Sequence, residues 1–160
     1  MSRLQLALNV DDLDEAIEFY SKMFSTEPAK IRPGYANFAI ADPPLKLVLF
    51  EGGESGSINH LGVEVETKEE VSLAEGRLVS EGLETTGIED TLCCYAQKTE
   101  TWLHGPDGTR WEWYVRNGDS ETLENIVVDG AGDATEDAGN CCAPAPAAEP
   151  AAVGGTSRCC

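Results

Sequence analysis

The chain has 160 residues, with 29 acidic and 11 basic side chains and a formal net charge of −18. This length suits one ordinary domain. The acidic balance argues against nucleic acid and anionic membrane surfaces as partners, because both attract basic patches. It also predicts a neutral or cationic small ligand in preference to an anionic one.

The sequence contains no apolar stretch near the roughly 20 residues that span a bilayer. Its beginning lacks the basic start and apolar run of a signal peptide. These features predict a cytoplasmic protein. Thiols are kept reduced in that compartment, so the six cysteines are predicted to be ligands for soft ions rather than disulfides.

The pattern of the first 53 residues predicts a strand, then a helix, then three more strands. Residues 5–10 alternate in hydrophobicity as a strand does. Asp12 and Glu15 have the spacing of a capping box, and apolar residues then recur at helical spacing as far as Phe24. Further strands are predicted at 29–32, 35–40 and 45–50.

Residues 57–116 repeat this order of elements. A strand opens at His60, and Thr67 with Glu70 forms a second capping box before a helical stripe that ends at Gly82. Further strands are predicted at 86–88, at 93–97 with 99–103, and at 110–115. Two tandem βαβββ modules, 1–53 and 57–116, therefore predict one α+β domain over residues 1–116.

Residues 117–160 differ in composition from the rest of the chain. They are rich in Ala, Gly, Pro and acidic residues and contain no aromatic side chain. Such a segment buries too little apolar surface to offset the entropy of ordering. A disordered acidic tail is predicted, in which only the apolar patch at 126–128 is able to dock locally.

The two tandem modules resemble the vicinal-oxygen-chelate superfamily, which includes glyoxalases, bleomycin-resistance proteins and extradiol dioxygenases. The resemblance implies that the modules pair and curl into a cup-shaped, metal-centred mixed sheet. It also implies that the metal ligands come from the first and last strands of the modules.

His60 and Glu112 are the first candidate metal ligands. His60 opens a module, and Glu112 lies between Trp111 and Trp113 in the last strand, where a carboxylate is costly unless it is paired or bound to a metal. A histidine with a carboxylate is a partial ligand set for iron, manganese or zinc. The alternative for His60 is a hydrogen-bonded structural histidine.

Gln5 occupies the position in the first module that His60 has in the second. Superfamily members that activate oxygen usually have histidine there, and some glyoxalases use glutamine. An amide oxygen is a neutral donor and is expected to bind iron more weakly than imidazole does. The alternative is a polar residue at the end of a strand.

The six cysteines form three adjacent pairs, and Cys93-Cys94 is the pair inside the predicted domain. Two thiols on a loop there are expected to face the mouth of the cup and to fill the two exchangeable positions of a trivalent arsenical. Burial as small apolar residues is the alternative. The tail pairs, Cys141-Cys142 and Cys159-Cys160, are possible accessory sites of metalloid capture or are dispensable.

A narrower resemblance rests on residues 6–11, on Asn59-His60-Leu61-Gly62, on Cys93-Cys94 and on the ending from Gly105 to Trp113. These motifs resemble the iron(II)-dependent, oxygen-consuming carbon–arsenic lyases and the related cadmium-induced proteins. The resemblance implies that Gln5, His60 and Glu112 hold iron(II), with dioxygen as co-substrate. It implies that Cys93 and Cys94 hold a trivalent methyl or aromatic arsenical, which is cleaved to arsenite for detoxification.

Two other functions stay open at this point. One is sequestration of thiophilic metals or metalloids without catalysis, and the other is glyoxalase-like chemistry. No general base is assigned, although Tyr95, Lys98 and His104 lie in the closing hairpin region. The protein is expected to act as a monomer or a homodimer, with no nucleic-acid or membrane partner.

Overall fold

The computed structural model describes residues 2–128 and 134–135. In the first module, β1 (Arg3–Val10) and α1 (Leu13–Phe24) precede three strands: β2 (Lys30–Arg32), β3 (Tyr35–Ile40) and β4 (Leu45–Glu51). The second module repeats this order as β5 (Ile58–Val65), α2 (Lys68–Ser80), β6 (Glu89–Cys93), β7 (Ala96–His104) and β8 (Arg110–Asp119). Two short strands follow, β9 (Ile126–Val128) and β10 (Ala134–Thr135).

Both helices begin at the residues that the sequence predicts. The Asp12 carboxylate accepts a hydrogen bond from the Glu15 backbone N–H at 2.8 Å. In α2 the capping box is complete, because Thr67 and Glu70 each accept from the other's backbone N–H. Such caps satisfy backbone donors that have no partner within the helix. Within the described part of the chain, no helix is long and apolar enough to cross a membrane.

The strands form one mixed sheet in the order β10-β9-β6-β7-β8-β5-β1-β4-β3-β2, which curls into a half-barrel. In each module the first and last strands pair in parallel, β1 with β4 and β5 with β8. The antiparallel β1–β5 pair joins the modules. The two modules therefore pair within a single chain, and the predicted α+β fold is confirmed.

The two faces of β1 illustrate how the sheet separates core from site. Leu6, Leu8 and Val10 pack with α1 on one face, as the alternation predicts. Gln5, Ala7 and Asn9 are buried on the other face. Polar side chains that are buried inside a curled sheet need partners there, and these partners build the site described below.

Two strand boundaries differ from the sequence prediction. Residues 86–88 are not a strand, because this stretch joins β7 only through a single bridge at Thr85 and two hydrogen bonds between Thr86 and Trp102. The predicted strand at 93–97 is interrupted by a turn. Cys94 and Tyr95 have φ values of 56° and 58°, so the chain reverses there and β7 begins at Ala96.

The predicted domain boundary at residue 116 lies inside β8. That strand continues to Asp119, and the apolar patch Ile126–Val128 pairs with β6 as β9. Between them, backbone carbonyls of Thr122 and Leu123 accept from the N–H groups of Tyr95 and Cys94. The folded unit thus includes residues 117–128, and the remainder of the predicted tail lies outside the described residues, apart from β10.

Candidate active site

Gln5, His60 and Glu112 come from three neighbouring strands, β1, β5 and β8, and their side chains meet inside the curl of the sheet. Gln5 Nε2 lies 2.9 Å from His60 Nε2 and 3.0 Å from Glu112 Oε2. His60 Nε2 lies 3.6 Å from Glu112 Oε2. All three side chains are buried, with exposures of 3% or less.

Gly62 makes this approach possible. It pairs in register with both Gln5 and Glu112, so it separates them across β5. A Cβ atom at Gly62 would lie 3.3 Å from Gln5 Nε2, which is tighter than ordinary packing. The missing side chain therefore leaves the amide of Gln5 room to reach Glu112 over the strand between them.

His60 is held in one tautomer by its neighbour in sequence. Its Nδ1 lies 2.8 Å from Asn59 Oδ1, which in turn accepts from Arg110 at 3.0 Å. Because that oxygen only accepts, Nδ1 carries the proton and the Nε2 lone pair faces Gln5 and Glu112. Burial lowers the pKa of His60, so the ring is neutral, which is the form that binds a metal.

Glu112 is an ionised carboxylate in a fully buried position. Burial alone would raise its pKa, but the Lys98 ammonium and a hydrogen bond with Glu100 hold the pKa well below its usual range. Lys98 Nζ donates to Glu112 Oε1. Behind Lys98, burial raises the pKa of Glu100 to about 8. The pair of Glu112 and Lys98 satisfies the requirement that buried charges be matched.

A second chain of hydrogen bonds fixes Gln5 from the other side. The Tyr114 hydroxyl donates to Gln5 Oε1 at 2.6 Å and accepts from Lys46 Nζ at 2.8 Å. Lys46 also lies 3.6 Å from Glu64 Oε1. Burial lowers the pKa of Lys46 to about 8. Both atoms of the Gln5 amide therefore have defined partners.

The vicinal cysteines lie at the hairpin turn between β6 and β7 and not on an open loop. Cys93 is completely buried and Cys94 nearly so, and their sulfur atoms are 2.9 Å apart. The left-handed backbone of Cys94 and Tyr95 is that of a tight hairpin turn, which usually favours Asn or Gly. Non-glycine residues in this conformation often mark a functional site.

The redox state of the two cysteines differs. Cys94 is disulfide-bonded, whereas Cys93 is not. The expectation that all cysteines are reduced is thus not met at Cys94 in this structure. The tail pairs, Cys141-Cys142 and Cys159-Cys160, lie outside the described residues.

A cavity of about 200 Å³ lies beside the three converging side chains. Gln5, His60 and Cys94 line it together, so one vicinal sulfur and two candidate metal ligands share the same space. Tyr35 and Phe50 supply aromatic walls. The cavity brings together the two groups of residues that the sequence singles out separately.

The three residues named in the closing hairpin region, Tyr95, Lys98 and His104, have different positions. Lys98 lines the cavity and contacts Glu112. Tyr95 packs against Tyr35 at a ring separation of 5.4 Å and donates to the Pro33 carbonyl. His104 is exposed at the other end of β7, so it is not part of this site.

A family model of the Glyoxalase/Bleomycin resistance protein/Dioxygenase superfamily matches residues 3–113. The chain belongs to this superfamily. It is 51% identical over 161 residues to a trivalent organoarsenical cleaving enzyme of Thermomonospora curvata, covering 99% of this chain and 100% of that enzyme. It is 57% identical over 124 residues to the cadmium-induced protein CadI of Mycobacterium tuberculosis, covering 77% of this chain and 82% of CadI.

Among solved structures, the Mn(II)-bound glyoxalase from Novosphingobium aromaticivorans superposes with a TM-score of 0.53 at 15% identity. The superposition covers 77% of this chain and 44% of that one. At this identity the likeness concerns the fold alone. It agrees with the half-barrel of two paired modules described above.

The residues of this superfamily member fit a divalent metal. Within residues 2–128, no three His, Cys, Asp or Glu side chains are grouped so as to hold an ion. A metal held by His60 and Glu112 would therefore take a third donor from another residue type, and Gln5 is the neighbour that could supply it. With its amide turned over, Gln5 would present an oxygen to an imidazole nitrogen and a carboxylate. A metal ion would match these three electron-rich atoms, which otherwise repel one another.

Several residues around this site were missed at the level of sequence. Asn59, Tyr114 and Lys46 orient the candidate ligands. Asn59 lies in the Asn59-His60-Leu61-Gly62 motif, but the sequence predicts no role for any of the three. One signal was present, because Lys46 interrupts the apolar run Leu45–Phe50. A charged residue at an inward position of such a strand indicates a buried partner.

Proposed function

We propose that the protein cleaves the carbon–arsenic bond of trivalent organoarsenicals, methyl or aromatic, and releases arsenite, in a reaction that uses iron(II) and dioxygen. One observation carries the proposal: Cys94, whose sulfur lies 2.9 Å from that of Cys93, lines a cavity that Gln5 and His60 also line. The 51% identity to a trivalent organoarsenical cleaving enzyme supports it.

The cysteine pair accounts for recognition of the substrate. A trivalent arsenic atom with one organic substituent has two positions for thiolates, and thiolates are the ligands that soft centres prefer. Capture by both sulfurs requires Cys94 in its reduced form, which a cytoplasmic location would maintain. The organic group then projects into the cavity that Cys94 lines.

Gln5, His60 and Glu112 would hold the iron. Bound iron(II) would supply the redox chemistry with dioxygen that breaks the carbon–arsenic bond. The chain itself would keep His60 neutral through Asn59, keep Glu112 ionised beside Lys98 and hold the arsenical next to these ligands. This proximity would replace a bimolecular encounter by reaction within one complex.

Arsenite release by the reduced, iron-loaded full-length protein tests the proposal. We expect arsenite from trivalent methylarsenical in air, none without oxygen or with iron chelated, and none from Cys93→Ser, Cys94→Ser or His60→Ala. The matched control replaces Cys141, Cys142, Cys159 and Cys160 by serine. It should leave the rate of the reduced protein within about twofold, since Cys93 and Cys94 suffice to fill the two thiolate positions on arsenic. Arsenite that does not depend on Cys93 and Cys94 would refute the role of the turn.

Sequestration without catalysis is the second candidate, and the 57% identity to a cadmium-induced protein favours it. This function predicts tight binding of the arsenical, or of cadmium, with no arsenite and no oxygen uptake. A glyoxalase-like reaction would also proceed without oxygen but would survive the serine variants of the turn. Measuring oxygen uptake and arsenical binding on the same samples separates the three functions.

A further inference from the structure

The cavity beside the vicinal cysteines is positively charged in a strongly acidic protein. Among the described residues, five basic side chains line it: Arg3, Lys30, Lys46, Lys98 and Arg116. In the same part of the chain, Glu64 is the one acidic side chain in the lining. The net charge of −18 therefore does not describe the local charge around this cavity. The expectation from composition that an anionic ligand is disfavoured does not hold here.

The deep cations are largely matched by carboxylates. Lys98 contacts Glu112, and Lys46 contacts Glu64 and the Tyr114 hydroxyl. Lys30 donates to Asp119 and to the Tyr95 carbonyl. These three ammonium groups already have partners within the protein, so they do not by themselves require a ligand.

Arg3 and Arg116 differ from the deep cations. Arg3 contacts Glu64 through Nε, and Arg116 contacts Asp119 through one terminal nitrogen. Among the described residues, the other guanidinium nitrogens of both have no hydrogen-bond partner. The two side chains keep 33% and 42% of their surface exposed, so they have donors available on the rim of the cavity.

The register of the sheet places both guanidinium groups on the face that carries the site. Arg3 lies two residues before Gln5 in β1, and Arg116 lies four residues after Glu112 in β8. Residues an even number apart in a strand project to the same face. Glu64 pairs in register with both Arg3 and Tyr114, so the arginines flank one end of the same cavity.

The cavity is large enough for an aromatic ring that bears an acidic group. An apolar cavity of about 150 Å³ holds benzene, and this one has about 200 Å³ with Tyr35 and Phe50 in its lining. An arsenical held by Cys94 would direct its ring into this space. An acid on the far side of the ring would then face the basic rim, where guanidinium groups bind carboxylates with two parallel hydrogen bonds.

We propose that the cavity selects trivalent arsenicals whose organic group carries an anion, such as a carboxylate, and that Arg3 and Arg116 are the specificity-determining residues. This inference rests on the proposed function, because it takes the vicinal cysteines as the anchor for arsenic. It assigns a substrate class, aryl arsenicals with an acidic ring substituent, and it predicts preference over neutral arsenicals of equal size.

The test compares trivalent 4-carboxyphenyl arsenical with its neutral isostere, the 4-carbamoylphenyl arsenical. Binding to the reduced, iron-free full-length protein is followed by tryptophan fluorescence, and arsenite release by the iron-loaded protein is followed in parallel. We expect the carboxylate to bind about tenfold more tightly at low salt, a typical advantage of a charge-assisted hydrogen bond. The advantage should shrink as salt rises, because these charges are partly exposed.

Matched variants assign the preference to the two arginines. The double variant Arg3→Gln/Arg116→Gln should lose the preference, because only the affinity for the carboxylate arsenical falls. The double variant Arg3→Lys/Arg116→Lys should retain part of the preference. Lys22→Gln, which removes an exposed cation on α1 that is paired with Glu18, should leave the preference unchanged. Circular dichroism verifies that each variant is folded. If the glutamine double variant does not fold, the lysine double variant tests whether the two arginines cause the preference.

The possible outcomes separate this inference from the proposed function. Equal affinity of the two arsenicals for the wild-type protein overturns the inference and leaves the cleavage reaction standing. A preference that persists in the glutamine double variant overturns the assignment to Arg3 and Arg116. Preferential binding without any arsenite supports the inference and refutes cleavage, and failure of both arsenicals to bind refutes both.

Discussion

The Tyr114 hydroxyl donates to Gln5 Oε1 at 2.6 Å, and this bond sets which atom of the Gln5 amide faces His60 and Glu112. If Gln5 ligates iron through oxygen, the amide must turn over, and its NH2 group then faces Tyr114, whose oxygen is able to accept. Tyr114 would therefore be a positioning residue in either orientation. Partners of metal ligands typically contribute tenfold to hundredfold to affinity.

Tyr114→Phe is accordingly expected to weaken iron(II) binding by about tenfold or more. The phenyl ring keeps the packing but removes the hydroxyl that donates to Gln5 Oε1. Anaerobic metal titration measures the dissociation constant, with Tyr20→Phe as the control at a half-buried tyrosine of α1 outside this site. An unchanged iron affinity in Tyr114→Phe would argue that Gln5 is not a ligand.

Asn59→Ala is expected to weaken iron binding by about tenfold or more through His60. Without the Asn59 oxygen, Nδ1 of His60 loses the acceptor that fixes the proton on Nδ1. The ring then also populates the tautomer with the proton on Nε2, which cannot bind a metal through that nitrogen. Asn59→Asp keeps an oxygen in place beside Arg110 and should retain most of the affinity. If alanine and aspartate behave alike, the effect is one of packing and not of the tautomer.

Lys46 is expected to make stability depend on pH above neutrality. Burial lowers its pKa to about 8 from an ordinary value of 10.5, so folding disfavours the charged form. The resulting cost is fully present below pH 8 and disappears as pH rises to 10.5, so the free energy of unfolding should increase across this window. The shift corresponds to an upper limit of about 3 kcal/mol.

Urea denaturation between pH 7.5 and 10.5 measures this contribution as the difference between the wild type and Lys46→Met. Other groups that titrate in the window act in both proteins and cancel in the difference. Lys68→Met, at an exposed position on α2, is the control and should follow the wild type. If the free energy of unfolding of the wild type and of Lys46→Met changed in parallel with pH, the lowered pKa of Lys46 would be contradicted.

The segment 117–128 is expected to stabilise the cysteine turn. Its carbonyls at Thr122 and Leu123 bind the N–H groups of Tyr95 and Cys94, and Leu123 packs against the cluster that contains both cysteines. A chain that ends at Arg116 should therefore melt several degrees lower than one that ends at Val128 and should bind arsenicals less tightly. Thermal unfolding and fluorescence titration of the two chains compare them, and equal melting temperatures would show that the segment is dispensable.

Sequence patterns were most informative where the physics is local. Alternating hydrophobicity, the caps at Asp12 and Thr67 and the repeat of two modules predict most element boundaries, because strand pairing faces and helix ends depend on neighbouring residues. Boundaries were predicted wrongly at residues 86–88 and at the Cys94 turn. Both depend on contacts with distant residues, Trp102 in one case and Leu123 in the other.

The sequence by itself determined the superfamily, the paired modules and the positions of Gln5, His60, Glu112 and the vicinal cysteines as residues of interest. Only the tertiary structure decided that Gln5, His60 and Cys94 line one cavity, that residues 117–128 belong to the folded unit and that five basic residues line the cavity. The reason is that composition sums charge over the whole chain, whereas a substrate responds to the charges within a few ångströms. That local balance is set by the register of strands that are far apart in sequence.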